Sequence, residues 1–382
     1  MSAATLQTGI CEKPDGKLHW QNKDGVAIVL NAKINLGDVS QGRDNNFNLI
    51  RFIAATAVLV SHAWPVSLGR GTVEPLTGAL GHSLGELSVF VFFALSGFFI
   101  ASSFDRSSSP FAFITARAAR LFPGLAVSLG VVAFVIGPAV TDLPLRAYLS
   151  QPETIDFMFR NLTLITPQYT LPGVFTDLPY PRVEGSIWTL FHEVACYGVI
   201  FLLGISGLLT RYSAPLLVLA LNGISWFAPF EIHPRLIQLQ GLSLPFFIGM
   251  SFWLWRDKVV LSAPILGALM VIAGLCRETA LAFPTLIFAL SYGIFWLGHA
   301  PVGKIRLFNR LGDYSYGMYI YAFPLQGLAV WIWGPQSPLE NIALSLPMVL
   351  LCATASWHWI ERPALEHARA GPKKGGFLKR QW

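Results

Sequence analysis

The chain has 382 residues, 53% of them hydrophobic and only 13% charged, with a mean hydropathy of +0.53. Soluble globular chains carry about 25% charged residues, so a soluble enzyme or binding module is excluded and a polytopic membrane protein is implied. The formal charge of +6 and the pI near 9.2 then record the gathering of Lys and Arg in cytoplasmic loops, not a nucleic-acid surface.

Taken in order, residues 1–45 are polar and of mixed charge, with no basic stretch leading directly into an apolar run, so no cleavable signal is expected. They read as a flexible cytoplasmic tail with one short apolar patch at 27–30. A transmembrane domain over 46–363 follows, all-α, a polytopic bundle of about ten helices near the length a hydrocarbon core requires. The apolar stretches lie at about 47–66, 84–104, 117–140, 186–209, 213–229, 235–255, 260–275, 279–298, 311–333 and 341–361. Both termini are placed in the cytoplasm, because of the 27 Lys and Arg residues this leaves outside only Arg70, Arg146, Arg160, Arg182, Arg235 and Arg277. The outside loop 141–185 is rich in proline and aromatics, among them Tyr169, Phe175 and Tyr180. Loops this long are uncommon unless functional. Its aromatic faces suit sugar rings, or equally a lid packed on the bundle. Residues 364–382 form a basic cytoplasmic tail. The cysteines Cys11, Cys196, Cys276 and Cys352 are too scattered for a metal site or a disulfide framework.

Polar groups inside such spans are costly and tend to face the bundle interior. Arg51 and His62 are eleven residues apart in the first span, on roughly one face and about 16 Å apart along the axis. Arg117 and Arg120 open the third span and share a face. With Arg51 they form a cytoplasmic set suited to bidentate phosphate binding, the plain alternative being positive-inside anchoring. In the fourth span Ser186, Thr189, Glu193 and Tyr197 make a polar stripe. Counted from the outer end of that span, Glu193 reaches the depth of His62, where a carboxylate could orient an imidazole base. His192 points elsewhere and is read as structural. Asp313, Tyr314, Ser315, Tyr316 and Tyr319 crowd the start of the ninth span, as a polar channel or an interfacial belt. Ser96-Gly97 reads as a small-residue helix contact.

These motifs together resemble acyltransferase family 3, the integral-membrane O-acyltransferases that include O-antigen and exopolysaccharide acetyltransferases. The likeness rests on Arg51 and His62 at the family's spacing, on Val91 to Ile100, and on Arg117 and Arg120 ahead of Pro123. It rests also on Trp188-Thr189-Leu190-Phe191-His192-Glu193, on Leu311 to Tyr316 and on Ile360-Glu361-Arg362-Pro363, covering about residues 44–365. Two departures stand out. A histidine that many members carry two residues before the proline of the ninth helix is Ala322 here, and the hydrolase-like domain that many append after the bundle is not expected.

The resemblance implies acetyl-CoA as cytoplasmic acyl donor, bound by Arg51, Arg117 and Arg120, and a glycan hydroxyl as acceptor. His62 and Glu193 are the implied catalytic pair, with His62 either a general base or itself transiently acylated. It also implies residence in the inner membrane, with the lipid bilayer, acyl-CoA and a glycan as partners and no metal. The rival class is a transporter or flippase that uses Arg51, His62 and Glu193 for ligand or proton binding. A two-fold internal repeat would favour it, and none is evident.

Overall fold

The computed structural model describes residues 33–40, 42, 44–227 and 234–370, with the backbone of three short strands at 10–12, 18–20 and 26–28. The architecture is a helical bundle around one continuous apolar core. Its main helices are α1 (Phe47–Leu68), α2 (Leu84–Arg106), α3 (Pro110–Val140), α4 (Pro152–Thr163), α5 (Trp188–Ile205) and α6 (Ser213–Phe227). They continue as α7 (Pro234–Leu254), α8 (Ala263–Leu275), α9 (Ala282–His299), α10 (Ser315–Trp333) and α11 (Pro338–Arg369).

Local sequence sets several helix starts. Ser83 and Glu86 close a capping box at the head of α2, and Ser337 and Glu340 do the same for α11. Ser109 caps α3, with Pro110 in the first turn, where its missing N–H costs nothing.

Among the described residues seven helices, α1, α2, α3, α5, α7, α9 and α11, are long and apolar enough to cross a membrane. The chain is thus a multi-pass integral membrane protein, but about ten crossings are not reached on that measure. Helices do occupy the other three expected stretches, each with a reason to fall short. α6 and α8 have 15 and 13 residues, and α8 spans only about 20 Å at 1.5 Å per residue. α10 is almost wholly enclosed by protein, so it need not present an apolar surface to lipid. Its Gln326 is completely buried, donating to the Leu59 carbonyl at 2.9 Å and accepting from Asn341 through its own carbonyl at 3.1 Å.

The expected flexible tail is tied down along part of its length. Val26–Ile28 pairs antiparallel with Pro301–Gly303, and Ile34–Asn35 pairs with Val260–Leu261. Leu36 is completely buried, and the Asn46 amide donates to the carbonyls of Leu297 and Pro301 at 3.0 and 2.8 Å. Backbone groups left open by the hairpins between later spans find their partners in this segment. The expected basic tail continues α11 as far as Arg369, and its part beyond residue 370 lies outside the described residues.

The small-residue contact anticipated at Gly97 is present and is reciprocal. A Cβ on Gly97 would stand 1.8 Å from the Phe246 carbonyl oxygen, and one on Gly249 would stand 1.9 Å from that of Ala94. α2 and α7 therefore touch backbone to backbone, the close approach that small residues permit between helices in lipid. Gly97→Val or Gly249→Val should cost about 3 kcal/mol or more, at or beyond the upper end of overpacking penalties, because a carbonyl cannot rotate away. Gly267→Ala, where nothing stands within 4 Å, is the matched control. Thermal unfolding in detergent should show the two valine variants far below the parent and the control beside it.

Candidate functional site

Two polar levels lie inside the bundle. At the end where α1 begins, Arg120 Nη2 donates to Asp313 Oδ2 at 2.8 Å and Nη1 to Glu361 Oε2 at 3.3 Å, while Arg51 Nη1 lies 3.5 Å from the same Asp313 oxygen. Glu361 sits in a π-helical turn, Trp357–Glu361, that interrupts α11. Such bulges re-aim a side chain and recur at functional sites. Here Ser356 Oγ donates to the second Glu361 oxygen at 2.9 Å, and Ser315 to the second Asp313 oxygen. The Tyr316 ring lies under the Arg120 guanidinium at 5.6 Å, and the Phe99 ring under that of Arg51 at 4.7 Å.

The three arginines are brought together but are not equivalent. Arg120 is clamped between two carboxylates and Arg51 shares one of them. Arg117 has no carboxylate within ion-pairing distance among the described residues, and its buried Nε has no partner. It faces Tyr197 and Glu193 electrostatically. Of the set it is the cation without a carboxylate partner among the described residues.

Glu193 belongs to this level. Its Oε1 accepts from Ser96 Oγ at 2.6 Å and from the Tyr197 hydroxyl. The expected meeting of Glu193 with His62 does not occur. Ser61, beside His62, accepts from the Gly85 amide at 2.9 Å, and Ser96 is eleven residues further along α2, about 16 Å deeper. The physical reason is where α5 starts. The 141–187 loop re-enters the bundle, so Ser186 and Thr189 meet the Tyr319 hydroxyl at 2.6 Å each. Tyr319 lies seven residues, or about 10 Å, inward of Gln326, which is level with Leu59. The polar stripe of Ser186, Thr189, Glu193 and Tyr197 is real and faces inward, but it lies in the inner half of the bundle and ends at the arginine level. His192, read as structural, bridges α5 to α7 through the carbonyls of Trp188 and Arg235 at 3.0 and 3.3 Å.

At the second level His62 packs edge-on against the Phe323 ring at 5.5 Å, and its buried Nδ1 has no hydrogen-bond partner among the described residues. Beside it, Glu74 from the following loop accepts from Ser61. Phe323 also meets Tyr180 at 5.5 Å, and its ring lies so close to Gly185 that a Cβ there would stand 2.4 Å away. One aromatic ring therefore separates His62 from the re-entrant loop.

Two carboxylates escaped the sequence reading as site residues, Glu361 as an ion partner and Glu184. Glu184 is 1% exposed with Oε2 unpartnered. Its signal was available, a carboxylate between Val183 and Gly185 just ahead of an apolar span.

Comparison with known proteins bears on the family of the chain. A family model described as an acyltransferase domain matches residues 44–357. An O-acetyl transferase of Shigella phage Sf6 is 28% identical over 355 residues, 87% of this chain and 98% of that protein. Nodulation protein 10 of Rhizobium leguminosarum bv. viciae is 26% identical over 371 residues, 86% of this chain and 95% of its own length. No solved structure matches.

The unequal arginines make a stability test. Arg120→Ala leaves Glu361 without its arginine and Asp313 with Arg51 alone, and should cost about 3–5 kcal/mol, as for one partner removed from a buried pair. Arg117→Ala removes a charge that pairs with no carboxylate and should unfold at or near the parent's temperature. Thermal unfolding of both variants in detergent checks the contrast, and an equal fall in both would contradict the division.

Proposed function

The chain belongs to acyltransferase family 3 and is a membrane-embedded O-acyltransferase, and we propose that it moves an acetyl or other short acyl group from cytoplasmic acyl-CoA to a hydroxyl of a polysaccharide or its lipid-linked precursor. In this reading the bundle crosses the inner membrane about ten times with both termini in the cytoplasm, so the arginine level faces the donor. Arg117 takes donor phosphate, with Arg51 and Arg120 holding the positive floor around it. A bidentate guanidinium is suited to that task. Glu193 is a positioning residue on the donor side, fixing Ser96 and Tyr197 next to Arg117. The inward stripe through Thr189 and Tyr319 offers the donor's thin arm a polar lining toward His62.

The observation that carries the proposal is the placement, on a single helix, of Arg51 towards one end and, towards the other, of an imidazole whose buried Nδ1 has no hydrogen-bond partner among the described residues. An unengaged ring nitrogen beside an aromatic wall is what a general base needs before its substrate arrives. His62 would take the proton of the acceptor hydroxyl as its oxygen attacks the thioester carbonyl carbon. The carbon–sulfur bond then breaks, and the proton passes from the imidazolium to the departing thiolate. The phage relative supports the chemistry through its name as an O-acetyl transferase.

Two measurements check this. His62→Ala should lower acyl transfer by about 10² to 10⁴, the range for a lost general base, with acetyl-CoA binding intact in nanodiscs. Full transfer by a folded His62→Ala protein would remove the histidine from the mechanism. For orientation, a reporter inserted at the exposed Arg277–Glu278 hairpin should read outside and one after Arg369 should read cytoplasmic. The same side for both would overturn the ten-crossing arrangement.

A further inference from the structure

A cavity of about 270 Å³ opens between the re-entrant loop and the first turns of α5 and α7. That is close to the lower limit of small-molecule pockets, roughly 300–1,000 Å³, and suits one sugar residue better than a long chain. Its walls include Tyr169, Tyr180, Arg182, Trp188, Arg235 and Gln238. The Arg182 guanidinium stacks over Tyr169 at 5.0 Å and over Tyr180 at 5.7 Å. Held by its face, a guanidinium keeps its in-plane N–H groups for a ligand. No carboxylate among the described residues lies within ion-pairing distance of Arg182. Glu184 is the carboxyl close by, since its backbone N–H meets the Tyr169 carbonyl. Burial pushes its carboxyl up to about 8, so at neutral pH it is mostly uncharged and does not cancel the arginine. Trp188 adds an indole beside these cations, a flat apolar surface of the kind that accepts a sugar ring.

We infer that this cavity seats the acceptor and selects a glycan that carries an anionic group, a sugar carboxylate or a phosphate ester, with Arg182 as the recognising cation. The assignment deepens the acyl-transfer reading and rests on it for the word acceptor. The geometry beneath it is independent of that reading. Tyr180 and Gly185 belong both to the cavity wall and to the contact with Phe323, so that wall and the Phe323 ring stand between a sugar held by Arg182 and His62. Phe323 must give way for the hydroxyl to arrive.

The test uses the full chain in nanodiscs of zwitterionic lipid, so that no anionic headgroup competes. Binding is measured for a glucuronate-containing disaccharide, the same disaccharide with glucose in place of glucuronate, and glucose 1-phosphate. A charge-assisted contact predicts at least about tenfold tighter binding of an acidic probe than of the neutral one. Whichever of the carboxylate and phosphate probes binds identifies the anionic source. Arg182→Gln should erase the preference, Arg182→Lys should restore part of it, and acetyl-CoA should bind all three proteins alike, which certifies their fold. Equal binding of neutral and acidic probes, or a preference that survives Arg182→Gln, overturns the assignment. An acidic probe that binds through Arg182 yet is never acylated with acetyl-CoA present would overturn the acyl-transfer reading and leave the cavity standing.

Discussion

One guanidinium ties together the parts of the bundle that carry chemistry. Arg120 comes from α3, Asp313 from the turn before α10 and Glu361 from the interrupted turn of α11. Taking three such charges out of water is expensive, and their mutual attraction offsets that cost only when the remaining lone pairs are met. Ser315 and Ser356 meet them. The clamp is therefore a condition of the fold as much as a feature of a site. It leaves Arg117, one turn away on the same helix, with a different assignment. Two arginines that look interchangeable by spacing are divided by which of them the carboxylates can reach.

The second determinant is the re-entrant loop. A span that began at the outer surface would have carried Glu193 to the level of His62. The chain instead turns inward before α5, and the Tyr319 hydroxyl anchors the head of that helix in the inner half of the bundle. The outer half of the space is then filled by loop, with Phe175 against Gly327 and Tyr180 against Phe323. Irregular backbone at that depth is tolerated because it is enclosed by protein and not by lipid. The arrangement gives the far end of the bundle walls of aromatic and cationic side chains where regular helix would have offered aliphatic ones.

Much of this was legible in the chain itself. Apolar length located helices at all ten stretches, and the Arg51–His62 spacing separated the two polar levels. Gly97 announced a close contact that the structure places against Phe246. What could not be read was vertical position. Hydropathy counts residues from an assumed membrane surface, and it has no term for a loop that dives. The pairing of Glu193 with His62 failed for that reason alone, although the inward face of its stripe was correct. The membrane count differed because α6 and α8 are short and because α10 is largely shielded by its neighbours. Glu361 was legible only as part of a family phrase, because the π-turn that aims it at Arg120 leaves no trace in a 3.6-residue period.

The Gly97–Gly249 contact bears on how this protein can move. Packed helices usually slide past one another by small rotamer changes spread over many side chains. Between α2 and α7 there are no side chains at the closest point, only two carbonyls and two α-carbons, and backbone has no rotamers to exchange. That seam is a fixed post on which neither helix can roll. α8, by contrast, has no buried residue along its length. Whatever rearrangement admits a substrate must leave the α2–α7 seam in place and be taken up by other helices.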